Sequence, residues 1–252
     1  MYDIGEGVEQ DHVEAVKWYR KAADAGNAQA QCNLGGMYSN GEGVEKDHIE
    51  AVKWYRKAAD AGHAMAQFNL GLMYNDGKGV DQDHVEAAKW FRKSAEAGLA
   101  DAQYNLGIMY SNGEGVEKDH VEAVKWYRKA AEAGDAKAQN NIAAIYFDGV
   151  WVEQDYSTAV RWAQLAAVQG NKNALIALDH MQQHNFIPTP PPGTAVTTIL
   201  LTSAKATNCN NKAGRVVEPT EGAAIKPGRA AVLLDGEVAP ISFKLMNLRV
   251  HP

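Results

Sequence analysis

The chain repeats itself with a fixed period. Five tryptophans recur every 36 residues without an insertion: Trp18, Trp54, Trp90, Trp126 and Trp162. Five glycines keep the same spacing: Gly26, Gly62, Gly98, Gly134 and Gly170. A period of this size predicts stacked helical units, because each unit buries its apolar face only against its neighbours. We therefore expect a mainly α solenoid rather than one enzyme-like core.

The second helix of each unit is marked at both ends. Asp47 followed by Glu50 predicts a capping box, in which each side chain satisfies a free backbone N–H at the helix start. Gly62 predicts the helix end, where a left-handed backbone is needed. The apolar residues between them follow helical spacing and predict one buried face. They are Ala51, Trp54, Tyr55, Ala58 and Ala59.

The first helix of each unit reads A-x-A-Q-x-N-L-G-x-M-Y, as in residues 64–74. Its mid-helix glycine costs about 1 kcal/mol relative to alanine, so its recurrence as Gly35, Gly71 and Gly107 predicts close helix contact. Ala143 takes this position in the fifth unit and still permits a near approach.

A loop of the form N/D-G-x-G-V-x-x-D joins the two helices of a unit, and its glycines predict a turn. In the fifth unit Trp151 replaces the second loop glycine, and Thr158 replaces the capping glutamate. We therefore expect that loop to have a different shape.

These motifs resemble the Sel-one-like repeat, the 36-residue relative of the tetratricopeptide repeat with a longer glycine-containing loop. The resemblance covers residues 1–185, which end in a helix that keeps Ala174, Leu178 and Met181 as a terminal cap. It implies a right-handed α-solenoid of helix-turn-helix repeats that acts as an adaptor or scaffold through protein binding, generally without catalytic activity.

The sequence changes character after the repeats. Residues 186–193 contain the run IPTPPPG, which predicts a stiff proline-rich linker. Residues 194–252 hold five short apolar or alternating runs, with Asp235-Gly236 as a hairpin signal between two of them. This segment predicts a small all-β module and loosely resembles a Src-homology-3-like barrel. Met1 and Tyr2 align with Met37 and Tyr38, so we expect that an upstream segment is missing.

The positions of the first helix that vary between units point to a binding surface. In tetratricopeptide-like stacks this helix lines the concave side, so the resemblance implies a groove. There we expect apolar pockets from Met65, Phe68, Leu72, Tyr104 and Ile108. Within this varying face one asparagine is constant in each unit: Asn33, Asn69, Asn105 and Asn141.

Asparagine is a mediocre helix former, so its retention has two candidate reasons. The amides could form a ladder that hydrogen-bonds the backbone of an extended peptide or partner protein. Alternatively, each amide ties one helix to the backbone of its neighbour. Ala177 replaces the asparagine in the terminal helix, so a ladder would stop there.

Charge indicates which partners are compatible with the chain, and the cysteines indicate its compartment. The net charge is −6, and residues 187–252 carry 7 basic and 4 acidic residues, which leaves the repeats at −9. Nucleic acid is thus unlikely for the solenoid and possible only for the tail, which carries +3. Cys32 and Cys209 have no repeating partner, which favours a reducing compartment, and we expect a cytoplasmic protein. No apolar run reaches the roughly 20 residues of a membrane span.

Catalytic and metal sites find little support. His12, His48, His84 and His120 recur at the first turn of the second helix, and one histidine per unit gives no zinc cluster. His180 and His184 share a helix face but lack an evident third ligand. The loop glycines are not followed by a phosphate-binding lysine. We expect no enzyme, cofactor or metal; the alternative is an enzyme-associated or regulatory subunit whose β module binds nucleic acid or peptide.

Overall fold

The computed structural model describes residues 11–183, Phe186 and the backbone of five strands. The helices are α1 His12–Asp24, α2 Ala28–Asn40, α3 His48–Asp60, α4 Ala64–Asp76, α5 His84–Glu96, α6 Ala100–Asn112, α7 His120–Glu132, α8 Ala136–Asp148, α9 Tyr156–Val168 and α10 Lys172–Gln183. The strands are β1 Ala195–Thr198, β2 Ala213–Val217, β3 Arg229–Leu234, β4 Ile241–Lys244 and β5 Leu248–Val250. The chain forms two compact units, Met1–Gly134 and Asp135–Pro252.

The first unit is a solenoid of helix pairs in which each helix from α1 to α7 packs against the next along the chain. Trp54 is 5% exposed because it packs in one apolar cluster with Leu34 and Met37 of α2. The leucine at the centre of each first helix has no exposed surface, as Leu70 and Leu106 show. The periodic apolar face predicted from the sequence is therefore the core of the stack.

The helix starts confirm only half of the predicted capping box. Asp47 Oδ1 accepts hydrogen bonds from the backbone N–H of Ile49 at 2.9 Å and of Glu50 at 3.0 Å. The prediction of a reciprocal hydrogen bond from Asp47 N–H to the Glu50 side chain is wrong. That N–H donates instead to the Tyr38 carbonyl at 2.9 Å, closing the loop, while Lys53 Nζ lies 2.8 Å from Glu50 Oε2.

The mid-helix glycines allow the close contact that the sequence predicts. A Cβ atom on Gly71 would lie 2.7 Å from two ring carbons of Phe91, a distance that real Cβ atoms do not show. Gly35 stands in the same relation to Tyr55, and Gly107 to Tyr127. The aromatic ring of the following helix thus occupies the space of a missing side chain.

In the second unit different residues occupy the two positions of this contact. Ala143 occupies the glycine position in α8, and Ala163 of α9 stands where the first unit has an aromatic residue. Ala143 is 1% exposed and Ala163 is fully buried, and both belong to one apolar cluster. The added methyl group is accommodated because the facing ring has been lost.

The loop glycines fill two roles. Gly77 ends α4 with φ of 67°, and Gly79 follows with φ of 72°, so both have the left-handed backbone of the predicted turn. A Cβ atom on Gly79 would also overlap the carbonyl group of His48 in α3. The second glycine is therefore required by the neighbouring helix as well as by its own backbone angle.

In the fifth repeat, for which a different loop shape is predicted, the loop keeps the left-handed angle and the closing hydrogen bond of the other loops. Trp151 has φ of 72°, the same as Gly79. Asp155 N–H donates to the Tyr146 carbonyl at 3.0 Å, as Asp47 does to Tyr38. The loop-closing hydrogen bond and the Asp155 cap impose the left-handed angle on a residue that rarely adopts it.

The repeats end as the sequence predicts. In α10 the cap residues Ala174, Leu178 and Met181 are all buried. Phe186 then folds back, with its ring centroid 4.4 Å from that of Tyr156 and 5.3 Å from that of Phe147.

The five strands form an antiparallel sheet in the order β4-β3-β2-β1-β5. They coincide closely with the five runs predicted in the tail, and β3 pairs with β4 across the predicted hairpin. Asp235-Gly236 and residues 187–194 lie outside the described residues. Closure of the sheet into a barrel and the domain limits at residues 185 and 193 stay predictions.

A glycine pair in α2 tests the close helix contact. Gly35→Ala should lower the free energy of unfolding by about 1–3 kcal/mol, because the new methyl group overlaps the Tyr55 ring. Gly36→Ala should raise it by up to about 1 kcal/mol, since its Cβ meets only the Tyr55 hydroxyl at 3.7 Å and alanine favours helix. Urea denaturation measures both, and a gain in stability for Gly35→Ala would contradict the contact.

A second glycine pair tests the loop contact. Gly62→Ala and Gly79→Ala both place a side chain at positive φ, which costs roughly 1–2 kcal/mol. Gly62 has open space around its Cβ position, whereas Gly79 faces the His48 carbonyl. We expect a clearly lower melting temperature for Gly79→Ala than for Gly62→Ala. Equal melting temperatures would show that the loop does not need this contact.

Candidate functional site

The candidate site lies on the face of each first helix that carries the constant asparagine, beside the buried leucine. Asn33 of α2, Asn69 of α4 and Asn105 of α6 are half-buried in the first unit, each next to a leucine with no exposed surface. The second unit holds Asn141 of α8 in the same half-buried state, next to the fully buried Ile142. Consecutive helical residues point about 100° apart, so each asparagine lies at the edge of the buried face and is only half-buried.

A different amide ties the helices together. In the first unit the glutamine two residues before each asparagine is buried, and its Nε2 donates to a backbone carbonyl of the preceding helix. The pairs are Gln31 to Ala23 at 3.0 Å, Gln67 to Ala59 at 3.1 Å and Gln103 to Ala95 at 3.1 Å. These glutamines are not among the predicted site residues, although their recurrence every 36 residues was a usable sequence signal.

The asparagine amides make only local hydrogen bonds or none within the described part of the chain. Asn33 Oδ1 accepts from Gln29 Nε2 at 2.8 Å, and Asn105 Nδ2 donates to the Asp101 carbonyl at 2.7 Å. Both bonds stay inside one helix. Asn69 and Asn141 have no side-chain hydrogen bond to another described residue, so none of the four amides binds a neighbouring helix there.

Backbone groups determine which way two of these amides point. The Ala66 N–H donates to His63 Nδ1 at 3.3 Å, so His63 Nε2 carries the proton and donates to Gln29 Oε1 at 3.0 Å. Gln29 is thereby oriented with its Nε2 toward Asn33, which leaves the Asn33 NH₂ group facing outward. Asn105 is oriented the opposite way, because a carbonyl only accepts.

The apolar residues assigned to the site differ in exposure. Met65 is 41% exposed, while Leu72 and Ile108 are half-buried. Phe68 and Tyr104 are also half-buried, and the structure uses them partly for packing. Their ring centroids lie 5.7 Å from that of Phe91 and 5.8 Å from that of Tyr127, respectively. Each therefore divides its surface between the next helix and the solvent.

In α2 a buried thiol, that of Cys32, occupies the position that Phe68 has in α4. Cys32 is unpaired and 5% exposed, and burial raises the pKa of its thiol to about 11. The thiol is therefore protonated at neutral pH and poorly suited to nucleophilic chemistry.

The described residues contain no cluster of three or more histidine, cysteine, aspartate or glutamate side chains that could hold a metal ion. His180 packs edge-on against Phe147, with ring centroids 6.0 Å apart, and His184 lies outside the described residues. The second glycine of a loop, such as Gly79, faces a backbone carbonyl, which repels phosphate. Within the part that the structure describes, no helix is long and apolar enough to cross a membrane.

The comparison with protein families agrees with the helix boundaries. The profile of the Sel1 repeat matches residues 1–27, 28–63, 64–99, 100–135 and 136–171, so each complete match holds one helix pair such as α2 and α3. No curated protein matches the chain at a significant level.

Two solved structures share both the fold and substantial sequence. One is a protective antigen of uropathogenic Escherichia coli strains that displays an SLR fold, with 43% identity and a TM-score of 0.70. The match covers 73% of this chain and 39% of the antigen, so the chain spans well under half of that protein. The other is a Sel1 repeat protein from Oxalobacter formigenes, with 42% identity, a TM-score of 0.69 and coverage of 72% of this chain and 74% of that one.

Alanine substitutions test whether the glutamine, and not the asparagine, holds neighbouring helices together. Gln67→Ala should lower the free energy of unfolding by about 1–3 kcal/mol, because the Ala59 carbonyl loses its buried donor. Asn69→Ala should change it by less than about 0.5 kcal/mol, as is usual for a position without such contacts. Chemical denaturation measures both. Equal losses would restore the alternative in which the asparagines hold the stack together.

Proposed function

The chain belongs to the Sel1 repeat family, whose members are protein-interaction scaffolds, and from that premise we propose that its asparagine face binds an extended segment of a partner protein. In the first unit this face comprises Asn33, Asn69 and Asn105 with the apolar residues between them. The Sel1 repeat fold is generally non-catalytic, which agrees with an adaptor role.

The observation that carries the proposal is the separation of the two amides. Gln67 and its equivalents already supply the buried hydrogen bonds between helices. Asn69 has no such bond among the described residues, yet the same residue recurs in every pair. A polar side chain that is constant, half-exposed and unnecessary for stacking is available to a ligand.

Asparagine suits an extended backbone because its amide both donates and accepts hydrogen bonds. An extended peptide presents N–H and C=O groups alternately on its edges. Asn33 offers its NH₂ group to a peptide carbonyl, whereas Asn105 offers its carbonyl oxygen to a peptide N–H. The opposite orientations of the two amides would therefore favour one register of the bound segment.

The apolar side chains would add sequence preference to this backbone recognition. Met65, Leu72 and Ile108 lie one helical turn from the asparagine of their own helix, on its exposed side. Phe68 and Tyr104 present the ring surface that Phe91 and Tyr127 leave uncovered. Partner side chains that alternate with the bonded backbone groups would contact these residues.

In the second unit Asn141 offers an equivalent amide, since it is half-buried and has no described side-chain partner. We also keep the cytoplasmic location expected from cysteine usage, which the unpaired Cys32 supports.

Selection from a displayed library of unstructured peptides tests the proposed function. Peptides that bind the full chain should lose about tenfold or more in affinity for Asn69→Ala/Asn105→Ala, since two hydrogen bonds of about 1 kcal/mol each are removed. The matched control is Asp60→Ala/Glu96→Ala, which changes two exposed residues of α3 and α5 away from this face. It should keep wild-type affinity.

The readout is the dissociation constant by fluorescence anisotropy, with the melting temperature measured for each variant. A selected peptide that binds the asparagine variant as tightly as the wild type would overturn the assignment of this face. Failure to select any peptide would count against peptide binding itself.

A further inference from the structure

A second surface of the first unit carries arginines that are held by tyrosines. In each pair an arginine Nη2 donates to the hydroxyl of the tyrosine 18 residues further on, in the following helix. The guanidinium carbon also lies 5.5–5.7 Å from the centroid of that tyrosine ring, within cation–π range. The pairs are Arg20–Tyr38, Arg56–Tyr74 and Arg92–Tyr110.

None of these guanidinium groups pairs with a carboxylate among the described residues. In α3 and α5 the first-turn glutamate pairs with a lysine, as in Lys53–Glu50 and Lys89–Glu86. Asp60 lies four residues after Arg56, a spacing that permits an ion pair, and yet the arginine turns to the tyrosine. A neutral hydroxyl satisfies one of five N–H donors and leaves the rest of the fork open.

An exposed apolar residue accompanies each arginine. Val13, Ile49 and Val85 are 55%, 60% and 52% exposed, and each precedes its arginine by seven residues. Seven residues are close to two helical turns, so both side chains lie on the same side of α1, α3 or α5. A single exposed valine is ordinary, but here the same pairing of apolar and cationic side chains recurs in three successive helix pairs.

We propose that this surface, defined by Arg20, Arg56 and Arg92 with Val13, Ile49 and Val85, binds an acidic polypeptide segment that also carries apolar side chains. The planar guanidinium fork matches a carboxylate in a bidentate geometry, which a lysine ammonium group does not. The tyrosine restrains the arginine before binding, so less side-chain freedom is lost on binding. This inference goes beyond the asparagine face and uses different helices.

Charge favours a polypeptide over a nucleic acid as the occupant. Each arginine shares its helix with half-exposed or exposed carboxylates, such as Glu50 and Asp60 of α3. A densely charged phosphate backbone would be brought close to these carboxylates, and the repeats as a whole are acidic. Carboxylates spaced along a flexible peptide can instead meet the arginines individually, because charges further away than about 8 Å are screened at physiological salt.

The test uses the full chain and a labelled synthetic peptide of glutamate and leucine in a serine background. Arg56→Gln/Arg92→Gln should weaken binding by about tenfold or more, as expected for two lost charge-assisted hydrogen bonds. Lys53→Gln/Lys89→Gln is the matched control, since it removes the same charge from the same two helices. Because those lysines are already paired with Glu50 and Glu86, we expect less than about threefold loss.

Tyr74→Phe/Tyr110→Phe is a second variant, which retains both arginines and the net charge. It removes the hydroxyl that positions each guanidinium group, and it should weaken binding severalfold. Asn69→Ala/Asn105→Ala should bind the acidic peptide as the wild type does, which separates this surface from the asparagine face. Circular dichroism and melting temperature verify that each variant is folded.

Three results would overturn the inference. Equal losses for the arginine and lysine variants would show non-specific charge attraction. Equal binding of a peptide with glutamine in place of glutamate would show that carboxylates are not recognised. Tighter binding of a single-stranded oligonucleotide, lost in the arginine variant, would assign the surface to nucleic acid instead.

Discussion

The structure of the first unit depends on the contact between a glycine in the middle of one helix and an aromatic ring of the next. Gly71 and Phe91 represent it, since a single methyl group on the glycine would overlap the ring. This contact determines the distance between α4 and α5, and hence which residues of the two helices come into contact. The buried leucine, the bridging glutamine and the exposed asparagine all take their roles from that spacing. In the second unit the pair Ala143 and Ala163 replaces it, which shows that the two positions change together.

The same functional group serves two purposes within three residues of helix. Gln67 and Asn69 both carry a primary amide, and their separation of two residues turns them about 200° apart on the helix. The longer side chain reaches the preceding helix from a buried position, and the shorter one faces outward. A solenoid can thus keep constant polar residues for stacking and for binding side by side. An alignment of the repeats within this chain does not separate the two purposes, because both residues are equally constant.

A similar separation applies to the basic residues. Lys53, Arg56 and Lys57 form one basic run in the sequence. In the structure each has a different partner: Lys53 pairs with Glu50, Arg56 bonds Tyr74, and the Lys57 ammonium group lies 3.9 Å from the Trp54 ring centroid. Unlike the two ammonium groups, the arginine keeps a planar fork of open hydrogen-bond donors. Its geometry depends on a tyrosine in the next helix, which no local pattern reveals.

Period, helix limits, caps and core positions followed from the sequence alone, because they depend on local backbone preferences and on a repeated apolar pattern. The five strands of the tail were also visible as alternating runs ended by turn residues. Three features depended on tertiary structure. The reciprocal half of the capping box is lost because Asp47 N–H closes the loop onto Tyr38, and Trp151 keeps a glycine-like angle because the loop around it is held at both ends. The roles of Gln67, Asn69 and Arg56 were decided by which helix lies within reach of each side chain. Sequence spacing determines on which face of a helix a residue lies. Only the packing of the helices determines which residues that face contacts.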